Sequence, residues 1–266
     1  MVRKRSSSPR PRKRFGQHFL RNRAVVHRVI DSINFQDVNA ALEIGPGQGA
    51  LTMLLAERCR RLHLIEIDRD LAAALSERYA EDAVVSVHQG DALSFNYAQL
   101  ANELGGKLLI VGNLPYNIST PLLVHLLVHL EAIQEMTFML QREVASRLTA
   151  EPGNSDYGRL TVNIVRFFTV EKLFEVGPEA FYPAPKVHSS VVRFVPRAVP
   201  LGSHVDPDLF SSVVRDAFAQ RRKTLRNALN EYGAESALIK LGIDPQLRAE
   251  QLSIEQFTEL VSALRP

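Results

Sequence analysis

Four consecutive residues, Asn113-Leu114-Pro115-Tyr116, bring together an amide, a stiffened backbone and an aromatic face. They follow Leu108 to Gly112, an apolar run that reads as a buried parallel strand. They precede Ser119-Thr120-Pro121, which suits a helix start. In open α/β sheets such a junction lies on the carboxyl edge, where ligands bind. The ring of Tyr116 offers a surface on which a base can stack, and Pro115 stiffens the turn that holds it. The side-chain carbonyl of Asn113 and the main-chain carbonyl of Leu114 can both accept from an exocyclic amino group. That combination suits methylation of an amino nitrogen. Taken alone, the same residues also fit an ordinary strand-to-helix turn with a packed tyrosine.

The elements upstream supply three more sheet edges of the same kind. Ala40 to Ile44 reads as a strand that runs into Gly45-Pro46-Gly47-Gln48-Gly49, with a helix from Leu51 to Arg58. Glycines let the backbone approach a ligand, and the helix start offers free N–H groups. The spacing is G-x-G-x-G rather than the dinucleotide pattern. Leu62 to Ile67 reads as the next strand and carries Glu66, about 20 residues past the loop, where an acid typically binds ribose hydroxyls. Ala83 to Val87 leads into Gly90-Asp91, and an acid there can accept from the amino group of an adenine. Each acid alone also fits a helix cap or a solvated charge. Glu135 to Leu140 is a further strand, and the alternation implies a parallel, doubly wound sheet. Leu160 to Val170 and Ser189 to Val195 read as two strands with no full helix between them, an antiparallel hairpin on the sheet edge.

The N-terminal stretch Arg12 to Leu20 is basic, with Phe15 and Phe19 flanking Gly16-Gln17-His18. It reads as a segment folded over a site, its Arg12, Lys13 and Arg14 facing a phosphate backbone. Asn22 is placed to cap a helix carrying Val25, Val26, Val29, Ile30 and Ile33. Phe181 to Val187 is a proline-stiffened loop with two aromatics and Lys186, suited to a second wall of a base pocket or to a plain connector. Past a linker at 199–207 the chain reads as helical. Asp208 to Leu229 has Val214, Phe218, Leu225 and Leu229 on one face. Arg215, Arg222 and Arg226 share another, beside Arg221 and Lys223, a pattern that suits RNA phosphates and equally a solvated face. Ser253 and Gln256 form a capping box for the last helix.

Charge and composition narrow the class. The 266 residues carry a net charge of +3, but Met1 to Arg23 holds nine basic residues and no acid. The remainder has 23 basic and 29 acidic side chains. A basic arm on a mildly acidic body points to a polyanion, nucleic acid ahead of membrane. The lone Cys59 excludes an internal disulfide, and no apolar run approaches the roughly 20 residues of a membrane span. A cytoplasmic protein is expected, with 1–11 as a basic, disordered arm. His125 and His129 lack the glutamate of a zinc motif, so no metal is expected.

Gly45 to Gly49, Glu66, Asp91 and Asn113 to Tyr116 together resemble the class I, AdoMet-dependent adenine-N6 methyltransferases. Arg14 to Leu20, Phe181 to Val187 with Ser189 to Val192, and Phe218 to Asn227 narrow the likeness to the small-subunit rRNA adenine dimethyltransferases, the KsgA/RsmA family. His18 stands where many members have asparagine. The resistance methylases of large-subunit rRNA are the nearest relatives and usually have isoleucine in place of Leu114. The resemblance implies an α/β fold: a Rossmann-like, mostly parallel sheet with an antiparallel hairpin at its edge over 12–198, and a small all-α domain over 208–266. It implies AdoMet as cofactor and S-adenosyl-L-homocysteine as product. His18 and Leu20 would close over AdoMet. Gly45, in the loop shared with Gly47, would approach its methionine part, with Glu66 on its ribose and Asp91 on its adenine. Asn113 would sit between AdoMet and the target amino group, beside Leu114, and Tyr116 and Phe181 would sandwich the adenine. The implied substrate is a pair of adjacent adenosines near the 3′ end of 16S rRNA in the immature small subunit, each methylated twice at N6 by a monomer. A non-catalytic assembly factor and a 23S rRNA methylase conferring resistance are the alternative readings.

Overall fold

The computed structural model describes Arg12 and residues 16–264, so the arm at 1–11 and Lys13, Arg14 and Phe15 lie outside the described residues. Strands follow in the order β1 (Phe19–Leu20), β2 (Ala40–Ile44), β3 (Leu62–Glu66), β4 (Val85–Gln89), β5 (Leu108–Asn113), β6 (Ile133–Gln141), β7 (Phe168–Val176), β8 (Phe181–Tyr182) and β9 (Ser189–Pro196). Between the first six run the helices α1 (Arg23–Asp31), α2 (Thr52–Arg58), α3 (Arg69–Arg78), α4 (Tyr97–Leu104) and α5 (Ser119–Leu126). Seven strands form one sheet in the order β4-β3-β2-β5-β6-β9-β7, and β1 pairs with β8 in a separate antiparallel ribbon. β2 to β6 are parallel, and β9 runs antiparallel to β6. This is the Rossmann-like methyltransferase architecture with an antiparallel edge.

Local chemistry explains the elements. Every residue of β2 is buried, as are Leu108 to Gly112 of β5, so the central strands are apolar on both faces. Asn22 Oδ1 accepts the Val25 N–H at 3.2 Å and starts α1, whose Val26, Val29 and Ile30 are buried at helical spacing. Asp68 accepts the Asp70 N–H and starts α3. α5 begins at Ser119, whose hydroxyl donates to Tyr116 O at 3.1 Å.

From β2 the chain steps outward through β3 and β4, then returns to β5 on the other side of β2. The strand order therefore reverses at β2 and β5, and their carboxyl ends flank the crevice where α/β sheets bind ligands. Gly45 leaves one strand and Asn113 ends the other. Their close approach depends on Gly112: a Cβ there would stand 2.6 Å from the backbone oxygen of Ile44 and 3.1 Å from Leu114 Cδ2.

The described chain divides into two compact units. One takes the residues up to Arg142 with Glu171–Val195, and the other takes Glu143–Val170 with the residues from Pro196 on. This grouping differs from a boundary at residue 198. Residues 143–170 supply Tyr157 and Val162 to the same apolar core as Phe210, Val214 and Phe257. Its helices are α6 (Arg142–Leu148), α7 (Arg159–Val165), α8 (Pro207–Ala219), α9 (Leu225–Ala228), α10 (Ala234–Lys240) and α11 (Ile254–Ala263). Ser253 and Gln256 close the capping box of α11.

Three readings are corrected here. Leu160 to Val170 is not one strand but α7 followed by the start of β7. Its β-branched residues favour a strand locally, but Thr161, whose hydroxyl donates to Arg147 O at 2.6 Å, with Val162 and Ile164, buries one helical face. The stretch 199–207 is no free linker: buried Arg166 donates to Leu201 O at 3.0 Å and Gly202 O at 3.1 Å. The helix read from Asp208 to Leu229 stops at Ala219 and resumes only as α9, with Arg221, Arg222 and Lys223 exposed in the turn between. The apolar period survives this break because Val214, Leu225 and Leu229 all enter one core.

Gly112→Ala forces Cβ onto the Ile44 carbonyl. It is expected to lower stability by about 1–3 kcal/mol, the ordinary cost of overpacking a closed core. Urea unfolding followed by circular dichroism reads this directly, and an unchanged midpoint would contradict the close packing of β2 against β5.

Candidate functional site

The site is built where β2, β3, β4 and β5 end. One cleft is lined by Gly45, Gly47, Glu66, Asp91, Asn113, Leu114 and Tyr116, together with His18 and Leu20 from the N-terminal segment. The structure thus brings these nine residues, chosen from the sequence, into one place. Two acids that line the cleft are buried, Glu43 at 2% and Glu66 at 4% exposed, as is Asp68, two residues beyond Glu66, at 2%.

The carboxylate of Glu66 organises the glycine loop. Oε2 accepts the Gly47 N–H at 3.0 Å and Oε1 accepts the Asp68 N–H at 2.9 Å. Burial raises its pKa, and the backbone N–H groups of Asp68, Gly47 and Ile67 offset only part of that rise. The carboxylate keeps acceptor capacity for a ligand hydroxyl. Gly47 has φ +57°, and a Cβ there would lie 3.0 Å from the Phe19 ring, so the loop closes under Phe19 only with glycine at this position. Asp91 lies at the rim, with one oxygen accepting the Leu93 N–H at 2.9 Å.

A short segment covers this floor. Asn113 Nδ2 donates to the main-chain oxygen of His18 at 2.9 Å. The His18 ring donates through Nδ1 to Pro183 O at 2.7 Å and stacks against Tyr116 with centroids 5.5 Å apart. Tyr116 OH and Ser189 Oγ share a hydrogen bond at 3.0 Å, which fixes the tyrosine ring. Because its NH₂ group serves His18, Asn113 presents Oδ1 as its free acceptor; no donor among the described residues bonds to it.

Several side chains stand elsewhere than the sequence reading put them. Phe181 does not line the cleft with Tyr116. It pairs with Leu20 across the ribbon and is 5% exposed, inside the core that holds Val26, Val29 and Val176. Arg12, read as a phosphate ligand, is bound by acids of its own chain, to Asp68 at 3.0 Å and to Asp70. Its backbone N–H also donates to Gln17 Oε1, and Gln17 Nε2 reaches Asp68. Arg215 pairs with Asp216 and Arg226 with Glu235, while Arg221 donates to Ser155 O. Lys186, Arg222 and Lys223 are exposed. Glu43 and Asp68 were not singled out from the sequence. Their signal is an acid inside an otherwise apolar strand and an acid one residue past the next strand's end.

A family model described as ribosomal RNA adenine dimethylase matches residues 9–265. The chain belongs to that family. Its relatives include the ribosomal RNA small subunit methyltransferase A of Pseudomonas aeruginosa, 49% identical over 255 residues, covering 96% of this chain and 95% of the relative. The same protein of Aromatoleum aromaticum is 49% identical over 256 residues, with 96% and 95% covered. Among solved structures, a dimethyladenosine transferase from Plasmodium falciparum superposes with a TM-score of 0.78 at 26% identity, covering 91% of this chain and 96% of that one. The 23S rRNA methyltransferase ErmE gives 0.68 at 28% identity, with 92% and 99% covered.

Glu43 supplies a test of the buried floor. Burial pushes its carboxyl from the ordinary 4.5 up to about 8, although Thr52 Oγ1 donates to it at 2.6 Å. A carboxyl raised in the fold stabilises below its unfolded pKa, and that contribution is lost as pH climbs from 4.5 through about 8. Glu43→Gln removes the ionisation. The variant is expected to exceed the wild type in stability by about 2–4 kcal/mol near about pH 9 and to match it in mild acid. Denaturant melts across pH measure this, and parallel curves for the two proteins would show that Glu43 titrates normally.

Proposed function

We propose that this protein transfers methyl groups from AdoMet to N6 of two adjacent adenosines near the 3′ end of 16S rRNA, two to each, late in assembly of the small ribosomal subunit. It works as a cytoplasmic monomer. The observation that carries the reading is the Asn113 amide: its NH₂ group donates to His18, which leaves its oxygen as the acceptor, and the residue lines the cleft together with Tyr116. An acceptor beside an aromatic face is what an adenine amino group needs. The cradle suits AdoMet: a glycine loop without room for a side chain under Phe19, the acceptor capacity of Glu66 for ribose hydroxyls, and Asp91 at the rim for adenine. Relatives at 49% identity that act on the small subunit by name favour it over 23S rRNA.

The chemistry then follows from placement. AdoMet, when bound, supplies a methyl group already activated on a sulfonium. The adenine must leave its stack, at a cost of a few kcal/mol, and stacking on Tyr116 returns roughly 1–3 kcal/mol. Asn113 Oδ1 and the Leu114 carbonyl accept from the amino group and favour a pyramidal nitrogen with its lone pair aimed along the line of transfer. The Leu114 peptide is anchored for this, its N–H donating to Met139 O at 3.2 Å. Transfer would leave S-adenosyl-L-homocysteine and a cationic N6 that readily gives its proton to water, so catalysis here is orientation and no strong base is required of the chain. After the first transfer only one N–H remains, and the pocket must admit a methyl group where the second stood. Lys186 in one unit, and Arg222 and Lys223 with their sequence neighbour Arg221 in the other, are exposed cations offered to RNA phosphates.

The experiment is incubation with methyl-labelled AdoMet and unmethylated small subunits, followed by nuclease digestion and mass spectrometry. Dimethyladenosine confined to the two adjacent adenosines is the expected product. Subunit binding without label would leave only an assembly role, and label on protein-free 23S rRNA alone would make the protein a large-subunit methylase.

A further inference from the structure

Phe181 and Tyr182 are consecutive in β8, so their side chains leave the strand on opposite faces. Phe181 is 5% exposed and Tyr182 is 51% exposed. The guanidinium carbon of Arg21 lies 4.1 Å from the centre of the Tyr182 ring. Lys186 is exposed on the same loop. Neither Arg21 nor Lys186 has an acidic partner among the described residues, whereas Arg12, Arg215 and Arg226 are each held by acids. The loop is joined to the cleft through the next residue, since Pro183 O accepts from His18 Nδ1 and the His18 ring lies on Tyr116. An outward aromatic ring backed by an unpaired guanidinium therefore borders the wall where the target base is proposed to enter.

We propose that Tyr182, backed by Arg21, is a stacking platform for the nucleobase that neighbours the flipped adenosine, with Lys186 on the phosphate between the two nucleotides. This rests on the RNA-adenine reading above. When one base leaves its stack, a face of its neighbour is stripped of contact; an aromatic face returns that stacking, and the guanidinium strengthens it. Phe181, buried beneath the ribbon, cannot take this part. Tyr182 is thus a positioning residue for RNA, outside the AdoMet cradle.

The test compares wild type, Tyr182→Ala and Tyr182→Phe on unmethylated small subunits that carry either adenosine or the weakly stacking uridine at one of the two adjacent positions. Label is counted on the remaining adenosine. Wild type is expected to lose about tenfold in kcat/KM when the neighbour becomes uridine. Tyr182→Ala should lose about tenfold on the adenosine substrate and little more on the uridine one, because the two changes remove the same contact. Tyr182→Phe should follow wild type, and AdoMet affinity by calorimetry should be equal in all three. If Tyr182→Ala loses AdoMet binding, Arg21→Ala is read the same way. Effects of residue and neighbour that multiply independently, or full activity in Tyr182→Ala, would overturn the platform while leaving the proposed reaction standing. Absence of transfer by the wild-type protein would remove both.

Discussion

The hydrogen bond from Asn113 Nδ2 to the main-chain oxygen of His18 is the constraint on which the site depends. It ties the last residue of a central strand to a segment 95 residues away in sequence. One contact settles two matters. It fixes the amide so that its oxygen, not its nitrogen, is free, and it draws the covering segment down over the cleft. From there the His18 ring reaches both Tyr116 and the loop at Pro183, so Asn113, Tyr116 and the loop at Pro183 are held as one assembly. Gly112 makes this possible from below, by letting β5 lie close enough to β2 for Asn113 to stand beside the glycine loop.

The floor of the cleft carries a cost that its neighbours offset. Buried carboxylates are expensive unless each has donors. Glu66 takes two backbone N–H groups, Asp68 takes Arg12, Gln17 and the Asp70 N–H, and Glu43 takes the Thr52 hydroxyl. The arrangement divides the labour. Glu66 and Asp68, each with several donors, hold the loop and the covering segment, while burial pushes Glu43, with the Thr52 hydroxyl as its donor, toward its neutral form. Arg12 is accordingly a structural clasp between the N-terminal segment and the start of α3, and the charge left for RNA lies on other side chains.

Much of this was legible in the sequence, for physical reasons. Parallel strands buried on both faces must be apolar runs, so Ala40 to Ile44 and Leu108 to Gly112 stand out, and the residues just past their ends are the cleft. Caps at Asn22 and Ser253 follow local rules and are found where local rules put them. What was hidden is non-local. Two adjacent aromatics, Phe181 and Tyr182, cannot be told apart until the register Leu20 to Phe181 decides which one is buried. The pairing of Arg12 with Asp68 joins residues 56 apart, beyond any reading by composition. The break after Ala219 is invisible because both flanking segments enter one apolar core and keep the helical period. In 160–170 the β-branched residues speak for a strand, and tertiary burial of one helical face overrules them.

Asn113 is proposed to orient the target amino group rather than to hold the cofactor. Single-turnover methyl transfer by Asn113→Ala on unmethylated small subunits, at saturating AdoMet, tests it most directly. The expected rate is lower by at least about a hundredfold, the usual loss when one pre-oriented hydrogen-bonding group is removed from a reacting centre, with AdoMet still bound. A rate within a few-fold of wild type would contradict it and remove Asn113 from the mechanism.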